Sequence, residues 1–82
     1  VVTMNDAALF DRIFVVTVPA CVIRAATEKT APIIRGAPVG ERMPGHMVRG
    51  FAVHGNADWA RVRLPSGVIG YVWTGFGEWE AT

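Results

Sequence analysis

The sequence predicts an all-β fold, and three observations predict it. β-Branched and aromatic residues gather in short runs such as Ile13–Val18 and Val68–Trp73. Gly and Pro punctuate the intervals between these runs. Almost nothing recurs at the spacing of an amphipathic helix.

Residues 1–12 fit either an ordered arm or a short helix, with Asn5 as a cap over Asp6–Phe10. From Ile13 the period changes to that of a strand, and Pro19, which lacks a ladder donor, ends it. Cys21–Arg24 resumes as a strand. Residues 25–32 read as a polar loop, and Ile33–Arg35 is a short strand ending at Gly36. The segment Ala37–Gly45 holds Pro38, Gly40, Pro44 and Gly45, which predicts consecutive turns.

Met47–Val53 is a strand with Gly50 as a bulge, followed by a turn over His54–Asp58. The clearest alternation is Trp59–Leu64. Ala60, Val62 and Leu64 point one way, and Trp59, Arg61 and Arg63 the other. Pro65-Ser66-Gly67 is a tight turn into Val68–Trp73. The expected organisation is an amino-terminal arm over 1–12, a barrel over 13–76 and a tail over 77–82. A partly closed barrel of five to six short antiparallel strands manages its edges best at this size. Ile33–Val39 echoes Met47–Val53, which reads as two strands in similar environments rather than as a solenoid repeat.

Composition narrows the function. Of 82 residues, 51% are hydrophobic and 18% charged, against about 25% charged in an ordinary domain. Such a chain is neither disordered nor long enough for a large α/β enzyme. The net charge of +1 gives no electrostatic case for nucleic acid, since seven acids offset the arginines, and a nucleic-acid partner is not expected. One cysteine excludes an internal disulfide. The apolar run from Ile13 to Ile23 is too short for a membrane-spanning helix, and the acidic residues before it do not fit a signal peptide.

The segments Asp58-Trp59-Ala60-Arg61-Val62 and Gly67-Val68-Ile69-Gly70-Tyr71-Val72 resemble two signatures of the bacterial Src-homology-3-like (SH3b) domain. These are a Gly-Asp-Trp-x-x-Val strand and a Gly-x-x-Gly-Trp/Tyr-Val ending. In the family's opening motif Arg24 aligns, while Ala26 and Thr27 stand where Gly-Pro is usual. The resemblance covers about residues 20–76. It implies a small SH3-like β-barrel and a non-catalytic module that binds a protein or a cell-wall peptide, with a bacterial cell envelope or a phage particle expected over a free cytoplasmic enzyme.

The candidate partner-binding residues are Trp59, Tyr71, Arg61 and Arg63, followed by Trp73, Phe76 and Trp79. Trp, Tyr and Arg carry interfaces because they bury much area at small entropic cost. The competing reading for Trp59 is a tryptophan capping the barrel end. Val22, Val48, Val53, Val62, Leu64 and Val72 are the expected core. Leu9, Phe10 and Phe14 fall outside it and are expected to dock in an assembly. The alternative function is therefore a structural subunit of a multi-subunit bacterial or phage assembly, such as a decoration or adaptor protein. Cys21, His46 and His54 match no metal-ligand spacing, and no nucleophile–base set or phosphate loop is present, so neither metal, cofactor nor catalysis is expected.

Overall fold

Residues 10, 12–28, 30–52 and 55–80 are described by a computed structural model. They form β1 (Arg12–Val16), β2 (Cys21–Arg24), β3 (Ile33–Ala37), β4 (Arg42–Ala52), β5 (Gly55–Arg63), β6 (Ile69–Trp73), a 3-10 turn (Thr74–Phe76) and β7 (Gly77–Trp79). The all-β expectation holds. The strands make one antiparallel sheet of seven, in the order β3-β2-β6-β5-β4-β1-β7, rather than five or six. Leu9, Val53 and His54 lie outside the described residues.

The sheet coils around a single core without closing, and β3 and β7 remain its edges. Ala37 from one edge strand, Phe14 beside the other edge, and Ala60, Val62 and Val72 from the middle all meet in one buried cluster. Only a strongly twisted and curled sheet brings those positions together. The largest fully buried side chains are Phe14, Ile23, Met43, Val16, Val62 and Val72. Of the expected core, Val62, Leu64 and Val72 are inside, while Val22 and Val48 are only half-buried. On β2 the phase is Cys21 and Ile23 inward, Val22 and Arg24 outward.

Strand β4 makes the curl possible. Its first part pairs with β1 (Arg12↔Gly45 to Val15↔Arg42) and its longer second part with β5 (Gly45↔Val62 to Ala52↔Gly55). Gly45 belongs to both ladders. The turns expected across Ala37–Gly45 therefore shrink to the Pro38–Glu41 link, and strand begins at Arg42. Pro44 is tolerated inside it for a specific reason. Its partner Ile13 gives its carbonyl to the Glu80 amide on the β7 side (2.8 Å), so Pro44's nitrogen faces away from β1. The ladder with β5 starts only at Gly45, so Pro44 removes no bond.

Four further expectations change. Gly50 is not a bulge, because the β4–β5 register runs unbroken through Gly50↔Ala57. The turn over His54–Asp58 gives way to strand from Gly55. The segment expected as a tail contributes β7, which pairs Phe14↔Trp79 and Val16↔Gly77. Nor do the two echoed segments share an environment, since β3 is an edge and β4 lies in the middle of the sheet.

Candidate interaction face

Cross-strand partners share a face, so the register defines the outer surface of the β4–β5–β6 meander. One row runs Val48, Trp59, Trp73, and the next runs His46, Arg61, Tyr71, then Arg24 of β2. The alternation in the sequence placed Trp59, Arg61 and Tyr71 on this face, and they are on it.

Trp59 is nevertheless buried, 3% exposed, which corrects the expectation of an open tryptophan. The loop after β2 folds back across this end of the sheet. It is held by Ala25 N–H to the Pro32 carbonyl (2.9 Å), Ala31 N–H to the Glu28 carbonyl (3.1 Å) and the Arg24 guanidinium to the Ala31 carbonyl (2.8 Å). A Cβ placed on Gly50 would collide with the side chain of Thr27 and lie 2.6 Å from Cδ1 of Trp59. Gly50 is thus the floor on which the loop and the indole meet. Trp59 completes a second, smaller packed layer and offers no surface to a partner.

Phe10 and Phe14 are also enclosed. Phe14 is fully buried, edge-on to Trp79 with centroids 5.3 Å apart. Phe10 lies on the outer face, edge-on to His46 (5.2 Å), beneath the guanidinium groups of Arg63 (4.4 Å) and Arg61 (5.3 Å). The assembly-docking role expected of these two phenylalanines is not available to buried rings. Trp79 and Phe76 are partly buried against the core, and Arg12 stacks on the Trp79 ring at 4.4 Å.

What remains open is Trp73, 41% exposed, with Tyr71, Arg61, Arg63 and Arg24 half-buried beside it. Trp73 stands edge-on to Phe76 at 5.3 Å, and its ring lies over Gly75, where a Cβ would clash with it. Arg61 Nε donates to the Tyr71 hydroxyl at 3.3 Å. Arg24 joins this row through its pairing with Tyr71. Its signal in the sequence is its phase, one residue out of step with inward Ile23.

Burial pushes the Cys21 thiol above its ordinary range, as does the nearby Glu41 charge, so it is a poor nucleophile. Glu41 is held below the usual carboxylate range by hydrogen bonds from Arg35, a bidentate pair at 2.9 and 2.6 Å. No group of three or more His, Cys, Asp or Glu among the described residues is placed to hold a metal ion. None of the helices among the described residues is long and apolar enough to cross a membrane. Comparison of the chain with protein-family models, curated proteins and solved structures finds no match.

Proposed function

We propose that the chain is a non-enzymatic interaction module, an SH3-like barrel that docks on a protein or cell-wall peptide through the outer face of its meander. The observation that carries this reading is the exposed Trp73 beside the Tyr71–Arg61–Arg24 row. An indole with water on one side and a fixed neighbour on the other gives up little entropy when covered, and arginine and tyrosine beside it supply hydrogen bonds. The face rests on three hydrogen-bonded strands, so its residues keep their spacing when a partner arrives.

A peptide array that includes cell-wall stem peptides tests it. The expected result is a set of retained peptides whose binding falls about tenfold or more in Trp73→Ala, as for an interface hot spot. Retention of no peptide, or binding indifferent to Trp73→Ala, overturns the reading.

One observation favours a structural subunit instead. Edge strand β3 exposes Ile33 (54%) and Ile34 (37%), with Val39 exposed in the turn beyond. Apolar residues on an edge strand are a route to assembly. Under that reading, light scattering shows oligomers that Ile33→Lys dissolves. A monomer at all concentrations counts against it.

A further inference from the structure

The seven arginines of this chain divide by their surroundings. Arg35, Arg42 and Arg49 each meet a carboxylate, on Glu41, Glu80 and Asp58 respectively. Arg12 stacks on Trp79. Arg24, Arg61 and Arg63 meet no carboxylate within salt-bridge distance among the described residues, and these three gather on the outer face described above. Glu28, in the loop beside Arg24, makes no ion pair with it, and Glu80, just after β7, is already taken by Arg42.

We infer that this face takes an acidic, extended segment of a partner protein. Arg61 and Arg63 are two residues apart on one strand, so their side chains emerge about 7 Å apart. Carboxylates at alternate positions of an extended peptide have that same spacing. The ring of Phe10 lies under both guanidinium groups, 4.4 Å from that of Arg63 and 5.3 Å from that of Arg61, which anchors them, and with Arg61 Nε given to Tyr71 the terminal nitrogens of Arg61 and the fork of Arg63 are the donors left for a carboxylate. Phe10 is thus a positioning residue, and a fixed fork loses less entropy on binding. Tyr71 ties Arg61 into the same row, and Arg24 continues it on the next strand but one. Trp73 stands one row away, where an apolar residue of the same segment reaches it.

The inference rests on the module reading above, and the test separates the two. The isotopically labelled full chain is titrated with three probes: a Glu-x-Glu peptide carrying one phenylalanine, its Lys-x-Lys counterpart, and oligothymidine. The expected result is that the acidic peptide shifts the Nε–H signals of Arg61 and Arg63 and the indole signal of Trp73. Its affinity is expected to fall about tenfold or more between low and high salt, and in Arg63→Gln and Arg61→Gln, each checked for an unchanged amide spectrum. Equal binding of the acidic and basic peptides, still lost in Trp73→Ala, overturns the acidic preference and leaves the module standing. Tighter binding of oligothymidine overturns it in favour of nucleic acid. Peptide shifts that avoid this face overturn both.

Discussion

Gly45 approaches the backbone of Arg61 so closely that a Cβ on Gly45 would collide with the Arg61 carbonyl oxygen. The same Cβ would lie 3.0 Å from Cγ1 of Val62. This is the point where β4 passes from β1 to β5, so the sheet's corner depends on a missing methyl group. Backbone cannot swing aside as a side-chain tip does. Gly45→Ala is expected to cost about 3 kcal/mol, at the upper end of overpacking penalties. Gly40 is the contrast. Its φ is +91° and nothing lies within 4 Å, so Gly40→Ala meets only left-handed backbone strain of about 1 kcal/mol. Urea denaturation of the two variants should rank them in that order, and equal midpoints would remove Gly45 from its role at the corner.

The bidentate pair of Arg35 and Glu41 ties strand β3 to the β3–β4 turn. Because the folded Glu41 carboxyl is held below its ordinary range by Arg35, the unfolded chain takes up its proton first as pH falls. The pair's contribution is therefore complete above about pH 4.3 and is lost as pH falls through the lowered folded value. Solvent screening keeps it near 1 kcal/mol. Glu41→Gln should lower stability by that amount at neutral pH and flatten the acid limb of a stability–pH curve. An acid limb identical to the parent's would show that other carboxylates set it.

Much of this fold is legible in the sequence wherever local pattern decides structure. The alternation of Ala60, Val62 and Leu64 and the Pro65–Gly67 turn locate β5, β6 and the faces of both. Pattern fails where a distant segment decides. Pro44 and Gly45 look like turn residues until β1, thirty residues earlier, is seen to leave Pro44's nitrogen unneeded. Three residues, Gly77–Trp79, become a strand because β1 offers them an edge. Trp59 shows the limit most clearly for the site. Alternation assigns a side chain to a face but not what crosses that face, and the loop carrying Thr27 crosses here. Of the tryptophans that the sequence offers for this face, Trp59 is covered and Trp73 stays open, with Arg24 completing the row.

Cys21 has a testable chemistry of its own. It is 2% exposed in the core cluster, and burial raises its thiol above the ordinary range. The folded chain therefore keeps a proton that the unfolded chain gives up from about pH 8.5 upward. Stability is full below that point and declines as pH rises toward the raised folded value. Native protein is expected to resist iodoacetamide at neutral pH, and Cys21→Ala should abolish this alkaline decline. Rapid labelling of the folded chain would contradict the buried setting.

Trp59 and Trp73 are cross-strand neighbours on one face, yet truncating them should have opposite consequences. Trp59 is 3% exposed beneath the loop, so Trp59→Ala leaves a cavity and costs about 3–5 kcal/mol. Total stabilities of small domains are about 5–15 kcal/mol, so that variant should be largely unfolded or close to it. Trp59→Phe is the informative partner. The indole N–H of Trp59 has no hydrogen-bond partner among the described residues, so phenylalanine forfeits no bond and should cost under about 2 kcal/mol. Trp73→Ala removes a 41%-exposed ring together with its contact to Phe76, and should cost about 1 kcal/mol or less. Fluorescence separates the two sites. Acrylamide should quench much of the wild-type emission through Trp73, and Trp73→Phe should leave a blue-shifted, quench-resistant signal from the enclosed tryptophans. If Trp59→Phe removed the quenchable component instead, Trp59 would be the exposed ring, and the face would have to be redrawn around it.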